Sequence, residues 1–362
     1  MLPTCPPIPD VRKIAVLRAG GLGDLLFALP AIEALRAAYP GAEIVLLGRE
    51  GLADLLPGRF PAVDRAVAIP PARGVGQPED YPEEPNILAS FFAAMAAERF
   101  DLAFQLHGGG GFSNPFTRRL RARVTIGLKA PEAAALDRWV PYVYFQPEVM
   151  RYLEVVALAG ARPTVLAPRL TPTAADRAEA ARALPADGRP LAVIHPGATD
   201  PRRWWPTERF ATVGDALAAT GARVAVIGHE ENERALVATV CEGMAADAAD
   251  LRGRLSLGGL AALLARARVV VGNDSGPLHL AEAVGAATVG VYWCFNLING
   301  APFTRARHRP LVSARFDCPI CGVNCLTGHC EHRASFVADV PAADVIAVTL
   351  DLWERESVER GA

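Results

Sequence analysis

Three short stretches of the chain carry residue types that can do chemistry together. The first is RAGGLGD, residues 18–24, where three glycines precede a single carboxylate, Asp24. A carboxylate delivered by such a turn can serve as a general base, because side-chain-free residues let a hydroxyl come close. An aspartate at a helix start also suits a cap. The second is HPGATDPRRWWP, residues 195–206, which sets Thr199 beside Arg202 and Arg203. A guanidinium fork donates paired hydrogen bonds to phosphate oxygens, while Trp204 and Trp205 can wall a pocket or pack in a core. The third is GNDSGPLH, residues 272–279, with Asp274, Ser275, Gly276, Pro277 and His279. A serine hydroxyl and the free N–H groups of a starting helix make an anion site, and Pro277 fits a first turn that needs no N–H. An Asp/Ser cap with a solvent-facing histidine is the plainer alternative. Two phosphate-type loops in one half of a chain point to a nucleoside diphosphate.

Two further clusters are more open. CPICGVNCLTGHCEH, residues 318–332, gathers Cys318, Cys321, Cys325 and Cys330 with His329 and His332. The C-x2-C start is a tetrahedral-zinc knuckle, so four thiolates can close a structural site, with free or oxidised thiols and an iron–sulfur centre or redox switch as alternatives. HGGGGFSNPFTRRLRAR, residues 107–123, follows a strand with four glycines and then Arg118 and Arg119, which suit acidic or phosphorylated sugars as well as a solvated helix face.

These residues need elements to position them. Short apolar runs such as KIAVLR, EIVLLG, DLAFQLH, LAVIHPG, ARVAVIGH, ARVVVGND and ATVGVYW alternate with helical patterns such as LPAIEALRAAYPG, which predicts parallel α/β units. A Pro/Ala-rich stretch near 160–185 separates two such series. The expected organisation is a Rossmann-like domain over 1–165, a second over 186–340, and a helix over 341–362 crossing back to the first. At 362 residues the chain is long enough for both cores.

Composition narrows the classes. A net charge of −2, with 51% hydrophobic and 21% charged residues, excludes a nucleic-acid footprint and a disordered chain. The opening MLPTCPPIPDVRK lacks a signal-peptide layout and no apolar run is long enough to span a bilayer, so a cytoplasmic protein is expected. G-G-x-G-D is not the G-x-G-x-x-G dinucleotide fingerprint, and Asp24 would repel a pyrophosphate, which argues against an NAD-dependent oxidoreductase.

The three stretches, in order and spacing, resemble glycosyltransferase family 9, the ADP-heptose:lipopolysaccharide heptosyltransferases, from about Lys13 to the last helix. The resemblance implies a GT-B fold, two Rossmann-like domains facing across a cleft, the first taking the acceptor and the second the ADP-sugar. It implies inverting transfer with no catalytic metal, Asp24 as general base, and Arg18, Gly20, Gly21 and Gly23 shaping the acceptor loop, with Arg118 and Arg119 as further acceptor contacts. Thr199 and Arg203 would meet the diphosphate, and Asp274, Ser275, Gly276, Pro277 and His279 the donor sugar and phosphates. Arg203 stands where many relatives have lysine. For the ribose carboxylate, GHEENERAL offers Glu230, Glu231 and Glu233, of which Glu231 is the choice. The implied partners are ADP-heptose and a glycan or glycolipid acceptor, the lipopolysaccharide inner core, with peripheral contact at the inner membrane surface. The four-glycine loop departs from the family, leaving open another nucleotide sugar or a small-molecule acceptor. Rivals of another class are a non-catalytic nucleotide-binding protein and a sugar-nucleotide epimerase.

Overall fold

The computed structural model describes residues 5–361, which divide into two units, one ending at Leu170 and the other beginning at Thr171. The first unit runs β1 (Lys13–Leu17), α1 (Leu22–Ala38), β2 (Glu43–Gly48), β3 (Arg65–Ala68), two-residue strands β4 (Ala72–Arg73) and β5 (Gly76–Gln77), α2 (Pro85–Ala97) and β6 (Leu102–Gln105). It continues with α3 (Ser113–Arg119), β7 (Val124–Lys129), β8 (Arg138–Pro141) and α4 (Glu148–Ala157). Its main sheet has the order β3-β2-β1-β6-β7-β8, parallel throughout. Helices cover such a sheet on both faces, and so Ile14–Leu17 and Leu102–Gln105 are wholly buried.

The second unit contains α5 (Ala174–Ala183), β9 (Leu191–His195), α6 (Thr207–Ala219), β10 (Arg223–Val226), α7 (Arg234–Gly243), β11 (Ala248–Asp250) and α8 (Leu257–Arg266). Then come β12 (Val269–Asn273), α9 (Gly276–Ala283), β13 (Ala287–Trp293), α10 (Cys294–Gly300), β14 (His308–Ser313) and α11 (Ala342–Gly361). Its sheet, β11-β10-β9-β12-β13-β14, repeats the topology of the first. Every residue of β9, β12 and β13 is buried. α5, which falls in the Pro/Ala-rich stretch, packs on α8, and α11 packs on α6, β12 and β13 of its own unit.

In each unit the chain leaves the central strand to one side first and returns on the other. The strand pairs β1/β6 and β9/β12 therefore flank a topological switch point, and the loops leaving their carboxyl ends diverge there to open a crevice. Arg18 follows β1 and His107 follows β6, while His195 ends β9 and Ser275 follows β12, which puts each pair at one such point. Among the described residues no helix is long and apolar enough to cross a membrane.

Candidate functional site

On the second unit, a cavity of about 470 Å³ opens at the β9/β12 switch point, lined by Thr199, Glu230, Glu233, Ser275, Gly276 and Pro277 among others. His195 links its walls: Nδ1 lies 3.0 Å from Ser275 Oγ and Nε2 3.2 Å from Glu233 Oε2. The His229 N–H donates to the same Glu233 oxygen at 2.7 Å. Burial works against the charged form of Glu233, yet the His195 and His229 contacts hold its carboxyl below the usual range. Gly197 makes this possible, since a Cβ there would come 1.7 Å from Glu233 Oε1. Ile227, Leu251, Leu255, Leu257 and Leu260 supply an apolar wall.

Beside the cavity, at the start of α9, Asp274 is buried between two cations. Arg203 donates to Asp274 Oδ2 at 2.8 Å and to its carbonyl at 3.2 Å, and His279 Nε2 lies 3.0 Å from Oδ1. Burial alone would discharge His279, but Asp274 and Glu282 push it up to about 10, and Asp274 itself is lowered against the cost of its burial. The Asn273 amide binds the two loops together, donating to Pro196 O at 2.7 Å and accepting from Trp205 N at 3.0 Å. Ser275 precedes α9 with its hydroxyl uncommitted to a cap bond. Arg202 turns away to pair with Asp200, and Trp205 is buried against Phe210.

Glu231 falls elsewhere than its role requires. It is exposed and absent from the cavity wall, whereas Glu230 and Glu233, three residues apart across a turn, do line it. A run of four polar residues in a loop has no period from which to read its orientation.

On the first unit, Asp24 occupies the third position of α1. Its Oδ2 accepts the Gly21 N–H at 2.6 Å and its Oδ1 pairs with Arg18 at 2.8 Å. The cap bond and the Arg18 ion pair therefore fall on one side chain, one on each oxygen. A Cβ at Gly20 would lie 2.3 Å from Asp24 Oδ2, so glycine there is required by the carboxylate that folds back over it. Buried Arg18 also donates to the Asp24 carbonyl at 3.0 Å, lies 3.3 Å from His107 Nδ1 and reaches Glu148 at 3.5 Å. Glu148 in turn accepts from Arg151 and Tyr152. Burial and the Arg18 charge pull His107 down to about 4, so it is a neutral imidazole at pH 7. Neither His107 nor Glu148 stood out in the sequence, because each meets Arg18 only through the sheet or α4. Gly23 lies in the first turn of α1. Arg118 is exposed, and Arg119 stacks on Phe92 at 3.7 Å. A cavity of about 300 Å³ beyond β2 and β3 is lined by Arg49, Glu50 and Gln77 among others.

In the late cysteine loop, potential ligand atoms of Cys318, Cys321, Cys330 and His332 all lie within 4.8 Å of one another. Cys325 is outside this group, its thiol donating to Val323 O at 3.6 Å, so the four-cysteine set gives way to three cysteines and a histidine. N–H groups of Cys321 and Ile320 directed at Cys318 pull its thiol down to about 6.

The family model for glycosyltransferase family 9 (heptosyltransferase) matches residues 88–305, a span that includes both phosphate-type loops and α9. The chain belongs to glycosyltransferase family 9. Lipopolysaccharide heptosyltransferase 1 of Escherichia coli K12 is 25% identical over 291 residues, 77% of this chain and 87% of that protein. The solved family 9 glycosyl transferase of Veillonella parvula superposes with a TM-score of 0.80 at 20% identity, covering 96% of this chain and 99% of its own. The E. coli ADP-heptose lps heptosyltransferase II does so with a TM-score of 0.73 at 18% identity and the same coverage. These structural likenesses establish the fold, GT-B with two parallel α/β units. As a family 9 member the protein is a glycosyltransferase.

Proposed function

We propose that this glycosyltransferase moves a heptose from ADP-heptose to a hydroxyl of a lipopolysaccharide inner-core acceptor, with inversion and without a catalytic metal. The observation that carries the reading is the cavity of the second unit, where an apolar wall, an ionised carboxylate and an anion-binding helix start converge. The apolar residues suit an adenine ring, Glu233 with Glu230 suits ribose hydroxyls, and Thr199, Ser275 and the first amides of α9 suit the diphosphate. The donor named for the E. coli relative is ADP-heptose, which has these three parts.

The chemistry follows from charge. As the anomeric C–O bond breaks, the electron pair stays with the β-phosphate, and Arg203 with the α9 amides stabilises the growing charge in place of a metal. The acceptor oxygen forms the new bond on the opposite face, which inverts the configuration, and its proton passes to Asp24. Arg18 orients that carboxylate through its Oδ1 and through the Asp24 carbonyl. The first unit takes the acceptor, with Arg118 and the cavity beyond β2 and β3 as its sugar contacts.

Arg203→Ala tests the donor half. A charge-assisted contact is worth about 1.5–3 kcal/mol, so ADP affinity should fall roughly ten- to hundredfold and the transfer rate with it. Titration calorimetry with ADP reads the first directly. Unchanged affinity and rate would remove Arg203 from the diphosphate site.

A further inference from the structure

We propose that Cys318, Cys321, Cys330 and His332 form a closed tetrahedral site for one thiophilic divalent ion, zinc or ferrous iron, which braces the donor loop 199–205 from behind. The coupling to that loop rests on the donor reading above, whereas the site itself does not.

The ligand set is what such an ion selects. Three sulfurs and an imidazole within 4.8 Å of one another match a Cys3His site, in which metal–sulfur bonds are about 2.3 Å and metal–nitrogen bonds about 2.0 Å. The C-x2-C turn aims the Cys321 and Ile320 N–H groups at the Cys318 sulfur, donors that a metal-bound thiolate accepts. His332 Nδ1 is shut off from solvent with no hydrogen-bond partner among the described residues. Such an orphan costs free energy unless something satisfies it. Binding releases the thiol protons, and three thiolates with a neutral imidazole around a divalent ion leave one net negative charge. Arg202 stands close enough to Cys330 to feel that charge.

The loop is held by local hydrogen bonds, such as Cys318 N to Val323 O and Cys325 N to Phe316 O, each at 2.9 Å. Ile320, Val323 and Leu326 are exposed, and of its four cysteines only Cys318 is buried in the core. Its exit, however, is tied to the donor loop: the Phe336 N–H donates to Arg202 O at 2.8 Å and Ser335 Oγ to Trp204 O at 2.6 Å. Those two carbonyls bracket Arg203. Thr199, Asp200 and Arg202 also share a small cavity with Cys330 and His332. An ion that fixes residues 330–332 therefore fixes the segment on which Arg203 is carried.

The test uses untagged full-length protein produced with zinc and iron both supplied, and elemental analysis of it. About one ion per chain is expected, its identity deciding between zinc and iron. Cys321→Ser and His332→Gln should each lose most of it, and Cys325→Ser should keep it. Metal-stripped wild type, reloaded with Co(II), should show tetrahedral d–d bands with thiolate charge transfer. It should also bind ADP about five- to tenfold more weakly until zinc or Fe(II) is restored, the lower range of coupling between two sites. No ion and no cobalt bands would overturn the site. Loss of the ion in Cys325→Ser as complete as in Cys321→Ser would overturn the ligand set, and equal ADP affinity with and without metal would overturn the brace. In protein that binds no ADP in either form the donor reading fails, and the ion count and cobalt bands still decide the site.

Discussion

Asp24→Ala is expected to slow sugar transfer about 10²–10⁴-fold, the contribution of a positioned general base, while ADP affinity stays within a few-fold. The separation follows from where the residue sits, in the first turn of α1 of the first unit, whereas the groups lining the donor cavity all belong to the second. Alanine also removes the bond from the Gly21 N–H and leaves buried Arg18 with Glu148 as its remaining carboxylate, so a stability loss of about 0.5–2 kcal/mol accompanies it. Asp24→Asn isolates the chemistry. The amide oxygen can still accept from Gly21, but the side chain no longer takes a proton, so the rate should fall as far with a smaller change in melting temperature. Near-normal turnover in Asp24→Asn would return Asp24 to the role of helix cap.

Asp274→Ala should destabilise the second unit by about 3–5 kcal/mol, because it leaves Arg203 and a buried protonated His279 without their shared carboxylate. The loss depends on pH in a defined direction. His279 titrates near 10 in the folded protein and near 6.5 unfolded, so its stabilisation is full below about pH 6.5 and fades as pH rises towards 10. Asp274 is shifted the other way, and its stabilisation is present above the ordinary carboxylate range and lost as pH falls through it. Urea unfolding should therefore show the largest gap between wild type and variant near pH 5–6.5. The gap should narrow towards pH 10 without closing, since Arg203 keeps its charge. A gap that widens with pH would mean that His279 is neutral beside Asp274.

The parts of this molecule that were legible in the sequence are those set by period and by punctuation. Central parallel strands such as β1, β9 and β12 are buried on both faces and read as unbroken apolar runs, and the glycine, proline and serine that follow them mark the turns. The edge strands β8 and β14 were missed. Arg138–Pro141 and His308–Ser313 mix polar residues with proline, which only an edge tolerates, and so resemble loops. Within the candidate site, Asp274 and His279 are only five residues apart, on either side of the start of α9, and are neighbours by sequence alone. The His195 contacts to Ser275 and Glu233 span 80 and 38 residues, and arise only because β9 lies between β10 and β12. The same holds for His107 and Glu148 around Arg18. Choosing Glu233 over Glu231, or His332 over Cys325, required the path of an aperiodic loop, which no residue type announces.

The central claim is that this chain carries heptose from ADP to an acceptor, and a single turnover assay meets it most directly. The protein is incubated with ADP-heptose, or with GDP-, UDP- or dTDP-sugars, each with and without a lipopolysaccharide inner-core acceptor, and release of free nucleoside diphosphate is followed. The account predicts ADP release from ADP-heptose only, dependent on acceptor, with one heptose added to that acceptor in the inverted anomeric configuration. Turnover of a different nucleotide sugar with ADP-heptose untouched, or conversion of a nucleotide sugar with no acceptor present, would contradict it.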